Sequence, residues 1–236
     1  MSRRTTRITD ASAFVLQTNA WRETSLMLRV FARDHGLITL VAKGAKRPYS
    51  GLRAVLMPFQ PLLLSWTGVA EVKTLTHAEV SRVQPIPGAA LMSCWYMNEL
   101  LLRLLASEDP HPGLFDAYAL TVESLAKGQL AASALRQFEW TMLRETGYGL
   151  DGPEPDFQDR RLAAELRVTF QQRLIEHVPG GRLNSRQTLL GLRRLLDSVV
   201  NTASLTETVA APDAVSRLGQ SHPPGTQRVN NESSPG

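Results

Sequence analysis

In the first third of the chain, apolar and polar positions alternate with the period of a strand. Leu26, Leu28 and Val30 interleave with Met27, Arg29 and Phe31, so residues 24–32 predict a strand with two unlike faces. Residues 12–18 predict another. Asp34-His35-Gly36 reads as a turn, with Gly36 suited to positive φ. Residues 37–42 are apolar enough for a returning strand covered on both faces. Residues 60–66 and 69–76 form a further hairpin around Thr67-Gly68. Five short strands separated by turns predict a small closed barrel, and their number and size suit a five-stranded Greek-key barrel of the OB type.

After Pro85 and Pro87 the period changes to that of a helix. Residues 89–107 are apolar almost all round, as expected of a central helix in a bundle, with Pro110 and Pro112 expected to end it. Residues 114–127 align Leu114, Tyr118, Val122 and Leu125 on one face and stop at Gly128. Residues 131–146 turn Leu135, Phe138, Met142 and Leu143 inward, with Gly147 as the C-terminal cap. Residues 160–177 carry Leu162, Leu166, Phe170 and Leu174 at i,i+4 spacing, and Pro179-Gly180-Gly181 ends them. Asn184 or Ser185 could cap a last helix with Leu189, Leu192, Leu196 and Val199 inward. From Asn201 the pattern fails, and Thr, Ser, Asn, Gly and Pro predict a flexible tail. The expected fold is a two-domain α+β protein: a barrel over residues 1–83, an all-α domain over 84–200 and a tail over 201–236.

Composition narrows the class. Hydrophobic residues are 43% and charged residues 20% of the 236, a globular balance. The net charge of +4 is unevenly spread. Residues 1–83 hold 12 basic and 5 acidic side chains, whereas residues 84–200 hold 12 and 14. The whole cationic excess therefore lies at the front, which points to an anionic partner there. The lone Cys94 excludes an internal disulfide framework and fits a reducing cytoplasm, and its place in the most apolar helix reads as core. The start of the chain has no apolar stretch behind its charges, unlike a secretory signal. Asn98, Glu99 and Arg103 interrupt the most apolar helix, which argues against a membrane span.

Enzymatic signatures fail. The five histidines (35, 77, 111, 177 and 222) form no i,i+4 pair, and neither a nucleophile elbow nor a Walker loop occurs. Gly147-Tyr148-Gly149-Leu150-Asp151-Gly152 matches a dinucleotide fingerprint in letters, but follows a helix and precedes prolines. Glu154, Asp156 and Asp159 read as a solvated face. No enzyme activity, cofactor or metal is expected.

The informative stretch is Val41-Ala42-Lys43-Gly44-Ala45-Lys46-Arg47-Pro48-Tyr49-Ser50-Gly51-Leu52-Arg53. A strand runs into a loop with four cations, which must be solvated or meet an anion. Tyr49 and Ser50 can donate to phosphate oxygens, and the glycines allow close approach. Arg3, Arg4 and Arg7 add a basic arm. Trp21-Arg22 lies in another loop, where the ring could stack a base or belong to the core. On charge and barrel alone the partner could be DNA or RNA, or the loop could be incidental to a protein adaptor.

Trp21-Arg22-Glu23-Thr24-Ser25-Leu26-Met27-Leu28, Phe31, Gly36-Leu37, Val41 to Arg47 and Ser50 together resemble the N-terminal module of the bacterial RecO family of recombination mediators. Met57-Pro58-Phe59, Tyr96 to Leu100, residues 115–125 and the Phe138-Glu139 to Gly147-Tyr148 helix look similar too, so the likeness spans about residues 8–195. The resemblance implies an N-terminal OB-fold and a helical C-terminal domain. It implies binding of single- and double-stranded DNA, strand annealing, and cooperation with RecR in helping RecA replace single-strand binding protein. It places DNA contacts on basic residues of the barrel, matched here by Lys43, Lys46, Arg47 and Arg53, with Arg22 and Arg7 beside them. Contact with the acidic, apolar-ended tail of single-strand binding protein would need an arginine near an apolar groove; Arg103, Arg136 and Arg144 are candidates. Many relatives carry a four-cysteine zinc module; with Cys94 alone, no zinc is expected. The stretch after Asp151 is shorter than usual, and residues 201–236 have no counterpart.

Overall fold

The computed structural model describes residues 6–128, 131–149, 152–159, 161–185 and 187–188. The expected tail over 201–236, the last helix beyond residue 188, and Arg3 and Arg4 lie outside the described residues.

Five strands form a closed barrel in the order β1-β2-β3-β5-β4: β1 (Arg7–Trp21), β2 (Ser25–Ala32), β3 (Gly36–Ala42), β4 (Leu62–Thr67) and β5 (Val72–Val80). All pairings are antiparallel except β3 with β5, where Val41 lies opposite Thr74. This is the OB-fold topology. β1 is longer than its apolar pattern suggested because it serves two neighbours. Residues 7–13 pair with β4 and residues 13–21 with β2. The strand bends at Asp10, which sits at φ 50 and donates its N–H to Ser65 Oγ at 3.0 Å.

Alternation sends one face of these strands inward. Ala13, Val15, Leu28, Val30, Ile38, Leu40, Leu64 and Trp66 fill the barrel. Helix α1 (Leu52–Val55) packs Leu52 and Val55 against the same cluster. Phe14, Leu16, Phe31 and Leu37 point the other way and enter a second cluster with the helices. Strands that read as apolar throughout are thus strands shared between two cores.

The helices are α2 (Gly88–Leu104), α3 (Pro112–Ala126), α4 (Ala131–Glu145) and α5 (Ala163–His177). Of their expected inward residues, Leu114, Tyr118, Val122, Phe138, Met142, Phe170 and Leu174 are buried and Leu135 and Leu166 partly so, whereas Leu162 precedes α5 and is exposed. Pro112 opens α3 rather than closing the preceding helix; its missing N–H is an orphan at that position anyway. Gly147, at φ 78, donates to Arg144 O at 3.2 Å, and Tyr148 N–H donates to Leu143 O at 2.8 Å, closing α4 as its cap. Cys94 is buried, and burial pushes its thiol up to about 12.

Polar ties reinforce the apolar contact between barrel and helices. Asn98 on α2 donates to Leu16 O at 2.8 Å and accepts from Tyr118 Oη at 2.6 Å. Arg33 grips Asp116 with two hydrogen bonds of 2.9 and 2.8 Å. The connector after α2 lies along β3: Ser107 bridges Leu37 in parallel, and Glu108 N–H donates to Leu37 O at 3.0 Å. Gly36, at φ 67, makes room for it; a Cβ there would stand 2.1 Å from Asp109 O.

Candidate nucleic-acid interface

The basic segment leaves β3 at Ala42 and folds against the β1–β2 turn. Ala45, buried at the centre of the loop, inserts into the barrel cluster. Gly44 takes φ 72. Lys46 then ties the two loops together: its N–H donates to Thr24 O at 2.9 Å, and its Nζ donates to Arg22 O at 3.3 Å. With one residue in the core and the next bonded to its neighbour, the loop is held in place and its remaining side chains project outward.

Lys43, Lys46, Arg47, Arg53, Arg22 and Arg7 are all exposed. None of them forms an ion pair among the described residues. Other barrel cations are engaged: Arg33 with Asp34 and Asp116, Lys73 with Glu108, and Arg82 with Glu123 at 3.1 Å. Charge on this barrel is therefore sorted. Cations toward the helices meet carboxylates, and those of the two loops at the Ser25 end of β2 face solvent.

The loops gather Lys43, Lys46, Arg47 and Arg22. Arg53 follows on α1, whose apolar side packs on the barrel and leaves the guanidinium in solvent. Arg7 is separate. It opens β1 as an ordered strand residue instead of a free arm, opposite Thr67, which faces Thr74, which faces Val41. Along that row of pairs, β4 and β5 lie between it and β3. Trp21 ends β1 with 40% of its surface exposed, and the Arg22 guanidinium carbon lies 6.0 Å from the ring centroid.

One further cation lies on the barrel wall. Arg29 lies between Gln17 and Thr39 on the outer face of β2, half-buried, its Nε without a hydrogen-bond partner among the described residues. Strand alternation places it outside the barrel, away from the run of loop cations.

On the helical side, Arg136 is buried and bonded to Glu139 at 2.8 Å, and Arg103 is held by Glu99 at 2.9 Å and by Arg182 O. Only Arg144 of the three is exposed and free of ion pairs among the described residues. No described helix is long and apolar enough to cross a membrane.

Comparison with known proteins settles the family. Residues 6–83 match the model of the recombination protein O N terminal, and residues 88–153 that of its C terminal. The chain is 45% identical over 224 residues to DNA repair protein RecO of Aromatoleum aromaticum, covering 94% of this chain and 92% of that one. The chain belongs to the RecO family. A second RecO, from Cupriavidus metallidurans, is 43% identical over 90% of this chain and 72% of its own. That of Ralstonia nicotianae is 56% identical over 60% of this chain and 53% of its own. As a RecO family member the chain is a DNA repair protein, and its barrel is the family's OB-fold domain.

Proposed function

We propose that this RecO family member is a non-catalytic mediator of recombination that grips the sugar-phosphate backbone through Lys43, Lys46, Arg47, Arg53 and Arg22, with Arg7 at a secondary position. The observation that carries the reading is the division of barrel cations into paired and unpaired sets. Side chains without carboxylate partners neutralise phosphates and release counterions with no ion pair to break. Such contacts read backbone charge and not base edges, so binding is nearly independent of sequence and extends to single and double strands. Annealing follows where one cationic surface screens two strands at once. In this reading the protein works with RecR to help RecA displace single-strand binding protein. The acidic tail of that protein meets the helical domain near Arg144, which keeps its charge available.

The test uses the full chain, because the barrel alone would expose Phe14, Leu16 and Phe31 to water. Lys43, Lys46 and Arg47 are changed together to Ala, and affinity for a single strand is followed by anisotropy between about 50 and 200 mM salt. Loss of three phosphate contacts lowers the slope of log affinity against log salt by about 2. An unchanged slope overturns the assignment. A matched RNA competitor measures preference between the nucleic acids.

A further inference from the structure

Tyr49 has no part in holding the fold together. Its side chain is wholly exposed, at 107% of the reference surface, whereas Ala45 in the same loop is buried. Its backbone stands at φ 65, in the left-handed region that non-glycine residues avoid. The reason is local. Ser50 N–H donates to Arg47 O at 3.1 Å, closing a turn with Pro48 second and Tyr49 third. Proline followed by positive φ is the pattern of a type II turn, whose third position ordinarily goes to glycine. Here that position carries an aromatic ring, presented away from the protein on a turn that Pro48 stiffens and Lys46 anchors.

The surroundings decide what the ring meets. Arg47 and Arg53 flank it in the chain, exposed and without carboxylate partners among the described residues. Cations on either side of a bare aromatic face suit a ligand that alternates negative charge with flat, stackable groups. The adjoining Pro48 and Ser50 give no apolar patch of the kind a membrane-inserting loop presents. We infer that Tyr49 is a stacking platform for an unpaired nucleobase, so that the basic loop carries a preference for single strands beyond its attraction for phosphate. A duplex hides both faces of its bases and offers the ring nothing. The inference rests on the basic loop being the DNA-binding element, and it names the form of DNA that the loop selects.

The experiment compares the full-length parent with Tyr49→Ala, Tyr49→Gly, Tyr49→Phe and Tyr49→Trp. The ligands are a labelled thymidine strand, an abasic strand of equal length and a duplex. The parent should bind the thymidine strand roughly tenfold more tightly than the abasic one, within the range that one stacked base supplies. Tyr49→Ala and Tyr49→Gly should abolish that preference equally, since glycine relieves the backbone and restores no ring. Tyr49→Phe and Tyr49→Trp should keep it, and the salt slope should be unchanged throughout.

The inference is overturned by no preference in the parent, by equal loss on all three ligands, or by Tyr49→Phe failing like Tyr49→Ala, which would assign the effect to the hydroxyl. Binding to anionic phospholipid vesicles that depends on Tyr49, with no effect on the thymidine strand, would overturn it in favour of a membrane. The two readings fail separately. An unchanged salt slope in the triple variant removes the charge assignment, whereas a silent Tyr49→Ala beside a reduced triple-variant slope removes only the stacking.

Discussion

Asn98→Ala should loosen the barrel from the helices far more than the loss of one small side chain suggests. The amide is buried, at 1% exposure, and holds two groups: Leu16 O on β1 and the Tyr118 hydroxyl on α3. Alanine leaves both without partners where water has no access. Each orphan costs about 1–3 kcal/mol, so the variant should lose about 4 kcal/mol of unfolding free energy. Tyr118→Phe strands only Asn98 Oδ1 and should cost about 1–2 kcal/mol. The double variant has no stranded hydroxyl, so it should be no less stable than Asn98→Ala, a coupling of about 2 kcal/mol. Urea unfolding followed by tryptophan fluorescence measures this, because Trp21 and Trp66 report the barrel and Trp95 and Trp140 the helices. Strict additivity, or a loss under about 0.5 kcal/mol for Asn98→Ala, would refute the reasoning.

Three further outcomes are expected. Burial pushes the Glu139 carboxyl up from its ordinary 4.5 to about 7 against the pull of Arg136 and the Tyr96 hydroxyl. A raised acid of this kind adds stability that is complete below 4.5 and lost as pH rises through 7. Glu139→Gln abolishes the titration, so the stability gap should move in the variant's favour across that window; a gap flat with pH contradicts it. Gly36→Ala forces a Cβ onto Asp109 O at a backbone angle unfavourable to alanine, and should lower stability by at least ~2 kcal/mol, measured as a fall in urea midpoint. Cys94 should resist a disulfide-exchange reagent in the native state at mildly alkaline pH and react at once in denaturant; fast native labelling would show that α2 opens readily.

Much of this architecture was legible because it obeys short-range rules. The alternation in residues 24–32 placed β2, and the i,i+4 rows ending in Val122 and Leu174 placed helices that are present and packed as expected. What escaped notice depends on separation in sequence. Phe14 and Val15 are both buried, but one faces the helices and the other the barrel interior, and apolar character alone does not distinguish two cores. The basic loop was visible as a run of cations, yet its contrast with Arg33 and Arg82 was not, because the carboxylates of Asp116 and Glu123 that bind them lie 83 and 41 residues away. Charge alone groups Arg7 with the loop, and the structure makes it a strand residue paired with Thr67 on β4.

The double grip of Lys46 on Thr24 and Arg22 makes the lengths of the β1–β2 turn and the β3–α1 connection interdependent. A residue added to the β1–β2 turn would shift the oxygens of Arg22 and Thr24, and one added between β3 and Lys46 would shift the donor; either would unmoor both. Evolution and protein engineers alike should find that insertions are accepted there only in matched pairs.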